Sequence, residues 1–408
     1  MDSGSLAPLR HRNFRWYYIA STIDVAGSMM AGVAFAFAVL AVENSPSALG
    51  YVLAANTVPM VLFMLYGGVV ADRLPLTLVL RFGLLVAGLL QGLTAALVIT
   101  GAAHIWMLIV LAALSGTVMA LVFPALVSIM PQLVPRELLQ QANALQSLSR
   151  GSMRIIGPTV AALLVAGVGP GWALGVDAAT YLVAAGVLLA VRLPPRPPRE
   201  GQTSTIDELR EGWTYFRSTT WLWVVVLGFA LLNAIHTGAW FTLGPPRAKE
   251  TIGVKGWGYV LSAESVGLIL VTLVLLRVSL RRPLLTGMLG VTLMGLPILV
   301  FGAVPHVVPL LCVALLAGAG SEVFNIGWTV SMQEHVPERM LSRAFSYDAL
   351  GSFVAMPVGQ LLAGPLAAAF GYRDVMVVSG LLYFVICVLV LSSRSVRNLR
   401  RVPAPAPG

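Results

Sequence analysis

A carboxylate or guanidinium inside a long apolar run is expensive, and this sequence carries several. Asp24, Glu264, Glu322 and Asp348 lie in such runs, as do Arg150 and Arg154. A charge at bilayer depth costs about 2.5–3.5 kcal/mol on insertion scales, so each of these residues needs a partner or a task. The task open to a carboxylate there is to take up and release a proton. Asp24 is the first choice, roughly nine residues into the first run, or about 14 Å along a helix. Protonation and substrate binding can compete for that one group; the alternative is a structural hydrogen bond to a neighbouring helix. Glu322 and Asp348 are the second-half candidates for the same coupling role, and Asp348 is near enough to the cytoplasmic end to serve a gate instead. Glu264 suits an outward gate, with structural pairing as the alternative.

Arg150 and Arg154 are one helical turn apart and share a face. A guanidinium stays charged at working pH, so Arg154 either holds an anionic group or neutralises a carboxylate such as Asp24. Asn56, Gln146, Asn233, Asn325 and Gln360 add neutral polar points, while Phe35, Phe37, Trp240 and Trp328 add aromatic surface. Together they suit a small amphipathic organic substrate in an apolar cavity, although an aromatic in such a helix more often packs than binds. Asp177 and His236 fall nearer the outer ends of their runs, where water can reach them.

The elements that must position these residues are membrane helices. The apolar runs cover approximately 15–42, 47–71, 76–101, 104–129, 138–168, 171–191, 221–243, 255–277, 281–302, 305–330, 340–369 and 372–392. Each is long enough to cross a bilayer, which takes about 20 residues. The chain is 58% hydrophobic and 11% charged, with a mean hydropathy of +0.86. Soluble domains carry about 25% charged residues, so the polar shell of a water-soluble protein is missing. Asn44-Ser45-Pro46, Gly169-Pro170-Gly171, Pro245-Pro246 and Pro305 punctuate the exits.

The net charge of +9 does not indicate nucleic acid. Twenty of the 26 Lys and Arg residues fall in alternate gaps between the runs, Arg192, Arg196, Arg199, Arg210 and Arg217 in the middle gap among them. The intervening gaps hold only Arg247, Lys249, Lys255 and Arg373. The positive-inside rule reads this as both termini and the middle loop in the cytoplasm. No cleavable leader is apparent at the N-terminus, Cys312 and Cys387 suggest no disulfide framework, and the arginine-rich usage hints at a bacterial source. The five histidines and two cysteines lack metal-ligand spacing, and no Gly-x-x-x-x-Gly-Lys loop is present to bind ATP phosphates. No cofactor, metal or catalytic residue is expected, and the chain is read as a non-enzyme.

The two halves of the chain repeat. With an offset of 202 positions, Val134-Pro135 falls on Val336-Pro337, Met130 on Met332, Gly157 on Gly359 and Gly169 on Gly371. The breaks in the match place Gln146 opposite Asp348, Arg150 opposite Ser352 and Arg154 opposite Met356. Six helices per half give a parallel repeat. The expected domains are a bundle over 1–191, a cytoplasmic linker over 192–220, a second bundle over 221–392 and a cytoplasmic tail over 393–408. The linker starts stiff and proline-rich and carries a short amphipathic helix over 206–216.

At Pro124-Ala125-Leu126, Pro131 to Pro135, Ala142-Asn143-Ala144-Leu145, Gln333 to Pro337 and Ser346 to Ser352, the chain resembles the major facilitator superfamily. Within it, the likeness is to the bacterial efflux branch that includes enterobactin exporters and actinobacterial drug exporters. The resemblance implies an all-α membrane protein of 12 transmembrane helices, in two six-helix bundles related by a pseudo-two-fold axis along the membrane normal. It also implies a cytoplasmic gate at Gly68, Asp72 and Arg73, where Asp72 would cap a facing helix and pair with Arg81. The basic pair that normally follows is replaced by Leu76-Thr77, leaving Arg81 as its substitute. The exporter signature of the fifth helix is present as Gly157-Pro158, with Ala161-Ala162 where two glycines are usual. The expected protein is thus a monomeric carrier of the bacterial cytoplasmic membrane. It exports a small organic compound by alternating access, driven by the proton gradient, with the lipid bilayer and its substrate as partners and no nucleic acid. The alternatives are an importer or facilitator on the same fold and, from a different class, a membrane sensor or scaffold.

Overall fold

The computed structural model describes residues 6–135, 138–193, 205–275, 278 and 280–401. Within these, the description leaves out the side chains of residues 65, 68–73, 127–128, 140, 144, 205–209, 211, 338–340, 342–343 and 346. The described residues are helical, with no strand among them. The first six long helices are α1 (Arg12–Val42), α2 (Pro46–Arg73), α3 (Leu76–Thr100), α4 (Ile105–Ser128), α5 (Leu139–Val168) and α6 (Pro170–Leu188). An amphipathic helix α7 (Thr205–Ser218) follows, then α8 (Thr220–Ile235), α9 (Gly253–Leu275), α10 (Pro283–Val291) and α11 (Gly295–Ala303). The chain ends with α12 (Val307–His335), α13 (Glu338–Phe353) and α14 (Met356–Ser392).

Eleven helical stretches among the described residues are long and apolar enough to cross a membrane. The last, Tyr347–Ser392, has 46 residues; straight, it would measure about 69 Å, twice the hydrocarbon thickness. It breaks at Gly371 (φ 81°, ψ 156°), which yields twelve crossings. Gly169, between α5 and α6, has nearly the same backbone (φ 97°, ψ 160°). That region is closed to residues with a side chain, so the two glycines at equivalent repeat positions make the same turn.

Three runs depart from the continuous helices expected of them. Pro245-Pro246 do not end the seventh run: α8 passes through a π-helical turn, His236–Thr242, into a further helix, Gly244–Glu250. Prolines in a helix's first turn lose no hydrogen bond, since those N–H groups lack partners anyway. The ninth run is divided by a 3-10 turn, Thr292–Met294. Pro297 cannot donate to the carbonyl four residues back, at Leu293, so the α-helical ladder is interrupted there. The eleventh run breaks after Phe353, where Pro357 removes the equivalent donor.

The chain divides into two compact units, Met1–Pro198 with Ala248–Ser262, and Arg199–Arg247 with Ala263–Gly408. The first unit thus includes Ala248–Ser262, which lies in the second bundle when the chain is cut by sequence alone. In the first unit, α2 runs along α4, α6 packs on α1 and α3, and α5 packs on α1. In the second, α14 lies against α8 and α11, and α12 against α10. In a bilayer apolar burial gives helices little reason to associate, so close approach at small residues takes over. A Cβ on Gly116 of α4 would overlap the carbonyl oxygen of Asn56 in α2. At the repeat-equivalent Gly318 of α12 it would overlap that of Glu264 in α9.

The amphipathic α7 follows residues 194–204, which lie outside the described residues, and covers Thr205–Ser218. Its Trp213 stacks on Phe216 with centroids 5.7 Å apart and meets Tyr347 at 5.7 Å, while the Tyr215 hydroxyl donates to the His335 carbonyl at 3.3 Å.

Candidate functional site: a polar cavity within the first unit

Helices α1, α2, α3, α4 and α6 enclose a cavity of about 390 Å³. That volume is within the range of small-molecule sites, roughly 300–1,000 Å³. Most of the wall is apolar, Phe35, Leu84 and Met119 included, and its polar groups include Asp24, Ser28, Asn56, Gln91, Asp177 and Tyr181. Asp24 and Ser28 are one turn apart on α1, and Asp177 and Tyr181 one turn apart on α6, so each pair shares a helix face. The Ser28 hydroxyl donates to the Tyr181 oxygen at 3.2 Å, joining the two helices. Gln91 Nε2 donates to Asp177 Oδ2 at 2.8 Å. Asn56 Nδ2 donates to the Ala112 carbonyl at 3.1 Å, which fixes its side chain at the cavity edge.

Asp177 corrects the sequence reading most directly. It is 0% exposed, not wetted at an outer end, because α1 and α3 close over it. The signal available in the sequence was an aspartate one to two turns inside a helix, the same kind of signal as Asp24. Asp24 is half-buried, and Arg150 is close enough for their charges to attract without forming an ion pair. Arg150 and Arg154 are both exposed, and Arg154 has no side-chain partner among the described residues. Gln146 is buried and accepts from Ser21 at 3.3 Å, behind the cavity wall.

In the second unit the sequence candidates are dispersed. Glu322 accepts from Thr272 at 3.4 Å and from Asn325 at 3.3 Å. Asp348 accepts from Trp328 Nε1 at 2.9 Å and from Ser352 at 3.2 Å, tying α13 to α12. Asn233 donates to the Ser352 carbonyl at 3.0 Å. Gln360 is buried in α14, and Glu264 lies where α9 meets α12. Trp240, in the π-helical turn, is 1% exposed and lies edge-on to Phe301 in the core of the second unit.

The family model of the Major Facilitator Superfamily matches residues 17–359. The chain belongs to that superfamily. Among curated proteins it is similar to the enterobactin exporter EntS of Escherichia coli (strain K12), 26% identical over 96% of this chain and 94% of that protein. The EntS of Shigella boydii serotype 18 matches equally, over the same shares of both chains. Among solved structures, the nucleoside transporter NupG superposes with a TM-score of 0.74 at 12% identity, covering 93% of this chain and 98% of that one. A bacterial homologue of the human lysosomal transporter Spinster gives 0.73 at 15%, covering 97% and 99%. Membership of the superfamily makes the chain a transporter rather than an enzyme, and the solved structures share its fold.

The facilitator gate residues are only partly described. Gly68, Asp72 and Arg73 stand at the end of α2, and their side chains lie outside the described residues. Arg81 donates through Nε to the Leu188 carbonyl at 3.1 Å and through Nη2 to the Val191 carbonyl. It therefore caps the C-terminal end of α6, where a cation suits the helix dipole. The facilitator fifth-helix signature acts as close packing: a Cβ on Gly157 would stand 2.7 Å from the Met29 Cβ of α1. Beyond Pro158, Ala162 faces Gly258 of the Ala248–Ser262 segment. Ser262 donates to the Ile155 carbonyl at 2.6 Å there.

Proposed function

We propose that this multi-pass membrane protein is a proton-coupled exporter of a small amphipathic organic compound, a drug, antibiotic or siderophore-like metabolite, working by alternating access. The observation that carries the reading is the carboxylate-bearing, otherwise apolar cavity of the first unit, on a chain similar along nearly its whole length to an enterobactin exporter. Apolar walls suit the body of an amphipathic molecule, and a carboxylate among them supplies one group for which substrate and proton compete. Asp24 is that group: it is only half-buried, so both can reach it. Arg150 balances its charge when the proton leaves. The concentration of basic residues in alternate loops supports cytoplasmic termini in a bacterial cytoplasmic membrane.

Everted membrane vesicles test the direction and the driving force together. With enterobactin and ethidium as probes, energised vesicles carrying the protein should accumulate one of them, and collapse of the pH gradient should stop it. Asp24→Asn should lower gradient-driven uptake by about tenfold or more, 1.4 kcal/mol of barrier per tenfold. Uptake that ignores the pH gradient would point to a facilitator on the same fold. Accumulation only in right-side-out vesicles would point to an importer.

A further inference from the structure

The cavity contains a second carboxylate that the proposed exchange at Asp24 leaves without a task. Asp177 is completely buried, and its Oδ1 makes no hydrogen bond among the described residues while its Oδ2 accepts from Gln91. A buried carboxylate with one oxygen unsatisfied is costly unless it is neutralised. The groups that face it are few. Asp24 reaches it from α1 and Tyr181 from its own helix, while Gln91, uncharged, reaches it from α3. Tyr17 lines the same cavity, and Arg150 acts on Asp24 rather than on Asp177. Among the described residues no cation is placed to neutralise Asp177, and a proton is the neutralising species that fits. A metal ion would need several oxygens, and the Gln91 amide nitrogen already occupies one of the two that Asp177 can offer.

We propose that Asp177 is a second proton-carrying residue of this transporter, exchanging a proton with Asp24 through the polar side of the cavity. The proposal rests on the proton-coupled reading above and extends it to a site deeper in the unit. In the exchange, the O–H bond of the Asp24 carboxyl breaks and one forms on Asp177, leaving Asp24 as the carboxylate. The pair's total charge changes only when a proton enters or leaves through the more exposed Asp24. The hydrogen-bonded hydroxyls of Ser28 and Tyr181, each one turn beyond its aspartate, lie alongside the route. Asp177 also bears directly on α1. A Cβ at Gly27 would stand 2.6 Å from Asp177 Oδ1 and would overlap Thr180 Oγ1, so a change of charge at Asp177 acts where α1 crosses α6.

Carbodiimide labelling tests this without a transported substrate, since the reagent modifies protonated carboxyl groups buried in apolar surroundings. The full-length protein in lipid vesicles is treated with dicyclohexylcarbodiimide across a pH series, and the modified residues are mapped by mass spectrometry. Asp177 should be labelled at acid pH, with labelling falling about tenfold per pH unit once the group ionises. Absence of label at Asp177 at every pH, or label confined to Asp24, would overturn the proposal. So would protection of Asp177 by sodium at constant pH, which would mark a metal-ion site. In vesicles where the wild type transports, Asp177→Asn should lose gradient-driven transport while retaining probe exchange in the absence of a gradient. Asp177→Glu should recover part of the coupling, which a merely structural role would not give. Labelled Asp177 in a protein that exports neither probe would sink the exporter reading and leave the proton site standing. An exporter with Asp177 unlabelled would do the reverse.

Discussion

The two units share a frame and differ in what fills it. Because the repeat-equivalent Gly157 and Gly359 seat against Met29 and Ala234, Asp24 on α1 corresponds to Phe229 on α8. Phe229 stacks on Phe324 at 4.1 Å, and Phe324 on Trp328 at 6.0 Å. The 202-residue offset sets Leu293 opposite Gln91, Ser379 opposite Asp177 and Tyr383, 2% exposed, opposite Tyr181. Where the first unit has two carboxylates and a cavity, the second has a stack of aromatic rings. Among its carboxylates, Glu322 accepts from Thr272 and Asn325, and Asp348 accepts from Trp328, the last ring of that stack. The repeat keeps the contacts that hold helices together and not the polar groups of the cavity, as follows if glycine contacts fix the scaffold and polar groups fix the task.

The frame itself is the first thing to break. Gly116→Leu and Gly318→Leu each push a side chain into the carbonyl of a facing helix and should cost about 3 kcal/mol, the upper end for overpacking. Gly167→Leu, where an added Cβ meets nothing, should leave the melting temperature in detergent unchanged. Equal losses at Gly116 and Gly318 confirm a shared frame; tolerance at one of them alone would show that the units pack by different rules.

A smaller change converts the first unit towards the second. Gln91→Leu installs the residue that the second unit has at the equivalent position and removes the donor to Asp177 Oδ2. One hydrogen bond to a charged group is worth about 1.5–3 kcal/mol. Gradient-driven transport should therefore fall about tenfold or more, with the protein still folded by its melting curve. Unchanged transport would mean that Gln91 only fills space.

How much of this is legible in the sequence depends on the kind of contact. The twelve crossings and the turns at Gly169 and Gly371 are local, set by apolar length and by a backbone only glycine adopts, and they are readable. Asp24 is readable because an acid inside an apolar run stands out. Asp177 obeys the same rule, yet its nearness to the Gly169-Pro170-Gly171 turn suggests water; only the packing of α1 and α3 against α6 buries it. The partners of Arg81 are carbonyls at the end of α6, and no residue type signals a carbonyl. Trp240 looks like a binding aromatic, yet it is buried in the core, edge-on to Phe301. Periodicity finds the helices; which face of each meets which neighbour is a tertiary matter.

The smallest expected effect bears on the assignment of roles. Asp348 has a donor on each oxygen, Trp328 on Oδ2 and Ser352 on Oδ1. Asp348→Asn keeps the shape and one accepting oxygen but turns the other position into a donor, so one of the two bonds is lost. The cost should be about 0.5–1.5 kcal/mol of stability, that of a single hydrogen bond, read as a small drop in melting temperature. Transport should stay within about twofold of wild type, less than 1.4 kcal/mol of barrier, because no step of the proposed exchange passes through this residue. If Asp348→Asn instead abolishes gradient-driven transport while Asp177→Asn preserves it, the division of labour is reversed. The first unit's cavity would then be a binding chamber, and the aromatic-lined second unit would carry the proton.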